Sequence, residues 1–110
     1  MRHKPAIKAF HNAVYRAQQN AAQFVPIVVQ KIYPSPTEGD LAIQFNSIVA
    51  RDIRFEFYDV YGLLRQSELR QVEKGEQTMY FDVSGLPQGA YIIQVSSNKL
   101  RHAPLKFIKL

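Results

Sequence analysis

The sequence predicts a mainly β domain, an antiparallel β-sandwich of about seven strands, preceded by one N-terminal amphipathic helix. Three observations support this prediction. Apolar residues recur at helical spacing up to Phe24, and they alternate with a period of two after Pro26. Gly, Pro, Asn and Ser residues separate the alternating segments. The connections are too short for the crossovers that parallel strands need, so we expect antiparallel sheets.

Residues 5–24 have the pattern of an amphipathic helix. Six apolar residues, alternately three and four positions apart, fall on one helical face; they are Ile7, Phe10, Val14, Ala17, Ala21 and Phe24. Pro5 suits a first helical turn, and Pro26 prevents the helix from continuing. We therefore predict a basic helical segment or linker over residues 1–26 and a sandwich domain over residues 27–110.

The second part of the sequence contains seven stretches with strand character. In chain order they cover residues 27–33, 41–46, 53–58, 63–69, 78–83, 91–95 and 101–109. The sixth is almost continuously apolar, which is typical of a central strand. Pro104 interrupts the seventh, which indicates an edge or a bulge. Seven short strands in about 80 residues are typical of an immunoglobulin-like sandwich.

Two turns have residues with specific backbone roles. Gly62 is the expected positive-φ residue of the hairpin connection over residues 59–62. In the corner before the sixth strand, Pro87 presets the turn and Gly89 permits a left-handed backbone. Tyr91 follows at the position where sandwich folds often turn a tyrosine hydroxyl back to upstream backbone.

The net charge of the 110-residue chain is unevenly distributed. The formal charge is +5, and residues 1–31 hold five basic residues and no acidic one, whereas residues 32–110 are balanced. We therefore expect no nucleic-acid partner for the folded part. No apolar run is long enough for a membrane span. The chain as given also lacks the uninterrupted apolar stretch that a secretory signal requires.

Motifs for catalysis, metals and cofactors are not found in the sequence. It contains no cysteine, and His3, His11 and His102 lack the spacing of paired metal ligands. The carboxylates are scattered at predicted turns, and neither a glycine-rich phosphate loop nor a nucleophile motif occurs. We expect no enzyme, no cofactor and no metal site.

Five short motifs follow one another from about residue 30 to residue 110. They are Ile32-Tyr33-Pro34-Ser35-Pro36, the alternating stretch 41–45, Tyr58-Asp59-Val60-Tyr61-Gly62, the corner Leu86-Pro87-Gln88-Gly89-Ala90-Tyr91, and Lys106-Phe107-Ile108-Lys109. Together they resemble the type IX secretion system (Por secretion system) C-terminal sorting domain family. In the first motif, Ser35 stands where the family usually has Asn.

This resemblance implies a non-catalytic sorting domain that directs an attached cargo to the cell surface. The route would pass through the periplasm once a signal peptide is supplied upstream. The implied partners are the outer-membrane secretion machinery and a sortase-like peptidase. The residues implied in sorting and recognition are Gly89, Tyr91, Lys106, Phe107, Ile108 and Lys109. The remaining motif residues are expected to be structural: Tyr33, Pro34, Pro36, Asp59, Gly62 and Leu86.

The predicted last strand admits two roles. At a sheet edge it would offer unpaired backbone groups and two lysines for strand addition by a receptor. Alternatively, Phe107 and Ile108 close the core while Lys106 and Lys109 keep the edge soluble.

Two other functions remain open at this point. One is a generic immunoglobulin-like binding or spacer module that recognises protein or glycan, for example through Arg54, Glu56 and Tyr58. The other is self-association through the predicted N-terminal helix.

Overall fold

The computed structural model describes residues 25–110, and this part of the chain forms antiparallel sheets. Its eight strands are β1 (Ile27–Tyr33), β2 (Asp40–Ser47), β3 (Arg51–Tyr58), β4 (Leu64–Val72), β5 (Gly75–Asp82), β6 (Gly89–Ser97), β7 (Leu100–Arg101) and β8 (Leu105–Lys109). The mainly β prediction is confirmed, whereas the predicted helix over residues 5–24 lies outside the described residues. Within residues 25–110, no helix is long and apolar enough to cross a membrane.

The strands are divided between two sheets. Sheet A has the order β1-β2-β5, and sheet B has the order β4-β3-β6 with β7 and β8 both paired to β6. Every paired neighbour runs antiparallel, as the short connections predict. β6 has partners on both sides, so its near-continuous apolar sequence is that of a central strand.

One hydrophobic core lies between the two sheets. Alternate residues of β2, β3 and β6 point into it, and the five largest fully buried side chains are Phe45, Phe55, Phe57, Phe81 and Phe107. Phe81 of sheet A meets Phe55 and Phe57 of sheet B with ring centroids 4.8 and 5.7 Å apart. These ring contacts hold the inner sides of the two sheets together.

The strand count differs from the prediction of about seven at the end of the chain. Ala103 and Pro104 belong to no strand, so the predicted strand over residues 101–109 is divided into β7 and β8. Proline cannot donate a backbone hydrogen bond to the ladder, which explains the break. A second difference is that β5 begins at Gly75, three residues before the fifth predicted stretch, which starts at residue 78.

Side chains from β4 close the free edge of β5. Gln66 Nε2 donates to the carbonyl oxygen of Asp82 at 3.1 Å, and Arg70 donates to that of Tyr80 at 2.8 Å. The Arg70 guanidinium also lies over the ring of Phe81 at 4.5 Å. Among the strands of residues 25–110, β5 pairs with β2 alone. These carbonyl groups face away from β2 and would otherwise be open to another strand.

Candidate functional site

Three of the five sequence motifs meet at one end of sheet B. The register of β6 and β8 pairs Ala90 with Ile108 and Ile92 with Lys106. On its other side, Ile92 pairs with Tyr58, the last residue of β3. The corner motif, the last motif and the turn after β3 are therefore spatial neighbours, although up to about 50 residues separate them in sequence.

The corner before β6 is fixed by Tyr91. Its hydroxyl donates to the carbonyl oxygen of Pro87 at 2.6 Å, which confirms the predicted tyrosine corner. Its ring stacks on Phe107 with centroids 5.4 Å apart, and only 3% of Tyr91 is exposed. Gly89 has a φ of +152°, a backbone that side chains rarely adopt, and Leu86 is buried in the core. Tyr91 thus joins the corner to β8.

The turn after β3 is organised by one carboxylate. Asp59 Oδ1 accepts hydrogen bonds from the backbone N–H groups of Tyr61 and Leu63, and Oδ2 accepts one from Arg65 Nε at 2.9 Å. Burial raises the pKa of Asp59, but hydrogen bonds from Leu63, Arg65 and Tyr61 together hold it below its ordinary value. Gly62 has a φ of +79°, as predicted. This turn holds Val60 beside β6.

The last motif alternates between the two sides of sheet B. Lys106 and Ile108 are on the outer side, and 43% of Ile108 is exposed. Phe107 and Lys109 are on the inner side with 1% and 7% exposed, and Lys109 Nζ donates to the carbonyl oxygen of Leu110 at 2.7 Å. The idea that both lysines keep the edge soluble is therefore wrong for Lys109. Sequence reasoning missed this because a lysine stem is apolar enough to be buried.

Exposed apolar side chains surround the junction of β6 and β8. A shallow cavity of about 260 Å³ lies between them. We call the exposed residues of its lining the corner surface: Val60, Ala90, Ile92, Lys106 and Ile108. An adjoining cavity of about 230 Å³ continues it towards Pro87 and Gly89. Contiguous exposed apolar groups are a common feature of surfaces that bind other molecules.

The outer edge of β8 is not the open edge that the sequence predicts. Thr37 N–H donates to the carbonyl oxygen of Ile108, and Leu110 N–H donates to that of Thr37, each at 2.8 Å. The N–H of Ile108 donates to Ser35 Oγ at 3.1 Å. By strand alternation the backbone of Lys106 faces the same side, and it has no such partner among residues 25–110. Strand addition without rearrangement is limited to this position.

The first motif is what closes that edge. Tyr33 ends β1, and the chain then leaves sheet A through Pro34 and Pro36, both exposed, to run beside β8. Both X–Pro bonds are cis. Among the described residues, a hydrogen bond along β8 joins the first motif to the last. No local sequence pattern predicts it, because it joins residues 73 positions apart.

Groups suited to metal chemistry are not brought together in this region. Among residues 25–110, no set of three or more His, Asp or Glu side chains is placed to hold a metal ion. Asp59 is engaged with Arg65 and the turn backbone, and His102 hydrogen-bonds to the carbonyl oxygen of Ala103.

Comparison with known families agrees with the motifs. A family model described as the secretion system C-terminal sorting domain matches residues 31–109, more than two thirds of the chain. No curated protein matches the sequence. The matched range covers all five motifs, including the segment that closes the β8 edge. The chain therefore belongs to the type IX secretion C-terminal sorting domain family.

Proposed function

We propose that this chain is a non-catalytic sorting signal that directs an attached cargo through the type IX secretion system to the cell surface. The observation that carries the proposal is the meeting of three family motifs at the corner surface. In this proposal, residues 27–110 are the sorting domain and residues 1–26 are a basic segment or linker. The domain would be an immunoglobulin-like sandwich, which the shared core of the two sheets and the tyrosine corner support.

The family residues divide into two roles on this proposal. Lys106 and Ile108 contact the receptor, because their side chains are exposed on the outer side of sheet B. The other four residues position them: Gly89, Tyr91, Phe107 and Lys109. Desolvation of Ile108 with the neighbouring Val60 and Ile92 would supply apolar binding energy, while Lys106 would supply charge specificity.

The proposed partners follow from family membership. The outer-membrane secretion machinery would recognise the corner surface, and a sortase-like peptidase would then separate cargo and signal. The cargo would reach the periplasm through a signal peptide supplied upstream and would finish at the cell surface.

The test is export of a reporter that carries a signal peptide and is fused in front of the full chain. The host is a bacterium with a type IX system. Deleting residues 106–110, or combining Lys106→Glu with Ile108→Thr, should leave the reporter in the periplasm. Unchanged surface export by the double variant would overturn the proposal.

A matched control keeps the same chemical changes away from the corner surface. Val28 on β1 is exposed, and Lys99 lies in an exposed turn. The double variant Lys99→Glu with Val28→Thr should be exported normally. Equal melting temperatures for the two double variants would show that loss of export is not loss of folding.

A binding or spacer module is the second candidate function. It is favoured by the outer side of β3, where Arg54, Glu56 and Tyr58 stay at least partly exposed and Arg54 donates to Ser67 Oγ at 3.3 Å. This function predicts that Arg54→Glu abolishes binding to a captured protein or glycan while the last motif is dispensable. The sorting function predicts the reverse.

Self-association through the N-terminal segment is a separate question. Residues 1–24 lie outside the described part of the chain. If they mediate assembly, the full chain should sediment as an oligomer and the chain without them as a monomer, and the same number of chains per particle in both would end this proposal.

A further inference from the structure

We infer that residues 35–37, which we call the strap, are positioning residues that hold β8 in the register needed to present Lys106 and Ile108. The strap lies on the side of β8 opposite β6, so the short last strand is held from both sides. The consequence for export rests on the proposed sorting function, whereas the effect on β8 itself does not.

The strap is fixed by its own loop. Only 1% of Thr37 is exposed, and its hydroxyl donates to the carbonyl oxygen of Asp40 and accepts from the N–H of Gly39. Its backbone N–H and C=O are left to bind Ile108 and Leu110. The backbone of the strap is therefore already held in place by these hydrogen bonds, and pairing it with β8 costs little additional conformational entropy.

Register matters here because β8 is short and its two sides differ in chemistry. It has five residues, Leu105–Lys109, and it follows the break at Pro104. A slip of one residue would turn Phe107 to solvent and Lys106 and Ile108 to the core. Pairing with β6 fixes one side of the strand. The strap adds three hydrogen bonds on the other side, all near residues 108–110, where a strand end would otherwise fray.

Hydrogen exchange measured residue by residue on the full chain tests the strap directly. Ser35→Ala removes the acceptor for the Ile108 amide, which should then exchange about tenfold faster. The Lys109 amide faces β6, and if the strap positions the whole strand it should exchange about threefold faster as well. An effect confined to Ile108 would overturn the positioning role.

Two variants control this measurement. Ser35→Asn keeps a side-chain acceptor and should restore protection at both amides. Ser96→Ala makes the same substitution at a half-buried position of β6. It should leave β8 exchange unchanged; faster exchange in this variant too would mean that general destabilisation explains the result.

Export of the same reporter fusion tests the functional consequence. Ser35→Ala should lower the surface-exposed reporter about threefold, following the loosening of β8, and Ser35→Asn should restore it. If β8 loosens but export stays normal while the Lys106 and Ile108 double variant blocks it, the strap has no role in sorting. If that double variant is exported normally, the sorting proposal fails, and the exchange data alone still decide whether the strap holds β8.

Discussion

The β5 edge and the β8 edge are both closed, but by different means. At β5, single side chains reach across from the other sheet, since Gln66 and Arg70 bind the carbonyl oxygens of Asp82 and Tyr80. At β8, the backbone of the strap lies alongside the strand. When side chains close an edge, they cover its backbone groups without fixing another segment of backbone beside the strand. A backbone closure also sets the register of the strand, which matters at β8 because the side chains proposed to bind the receptor are there.

The largest expected effects come from substitutions in the core, and they test whether β5 and β8 depend equally on core packing. Phe81 of β5 and Phe107 of β8 both contact the ring of Phe57 and are almost fully buried. We expect Phe81→Ala and Phe107→Ala each to lower the free energy of unfolding by about 3–5 kcal/mol, measured by urea denaturation. Exposed neighbours serve as controls: Tyr80→Ala and Ile108→Ala should each cost under about 1 kcal/mol. If Phe107→Ala is as mild as its control, the strap rather than the core anchors β8.

An effect of intermediate size is expected from Arg70→Ala, which removes one of the side chains that close the β5 edge. Arg70→Ala loses the contact with the Phe81 ring, the 2.7 Å ion pair with Glu68 and the hydrogen bond to Tyr80. We expect a loss of about 1–2 kcal/mol in unfolding free energy. We also expect concentration-dependent association by sedimentation, because the β5 edge is opened. Arg101→Ala, at an exposed site, is the control, and a strictly monomeric Arg70→Ala chain would argue against edge protection.

The smallest expected effect concerns pH and one aspartate near each edge. The pKa of Asp82, the last residue of β5, is lowered mainly by the hydrogen bond from the Ser84 hydroxyl and also by that from the Ser84 N–H. The pKa of Asp59 near the corner surface is also lowered. A carboxyl group whose pKa is lowered by folding stabilises the folded state at pH values above the ordinary pKa of aspartate. This stabilisation is lost as the pH falls through the pKa of the folded state. Asp59→Asn and Asp82→Asn should therefore each reduce the fall in melting temperature between about pH 5 and about pH 2. A pH profile identical to that of the unchanged chain would contradict this assignment.

Most of the fold could be predicted because strand alternation is local. The inward positions of β2, β3 and β5, the corner at Tyr91 and the positive φ of Gly62 all depend on residues a few positions apart. The split of the last strand was only partly anticipated, because Pro104 indicates an irregularity without saying whether the strand bends or ends.

The candidate site was predictable as a set of residues but not as an arrangement. The motifs identified Lys106 and Ile108, whereas their placement beside Val60 depends on strand order and register. The burial of Lys109 and the strap along β8 could not be predicted in the same way. Both depend on contacts with residues whose proximity only the folded chain establishes.

The hydrogen bond between Ser35 and Ile108 also has a consequence for the order in which the domain is completed. It joins residues 73 positions apart, so the strap is synthesised long before its partner. Loops of this length close late, after local hairpins such as β3–β4 have formed. Translation that stops before residue 105 therefore produces a chain in which residues 89–93 of β6 and the strap lack their β8 partner. The corner surface includes Lys106 and Ile108, so it is assembled only on polypeptides that have been translated through β8 and is absent from products truncated before that strand.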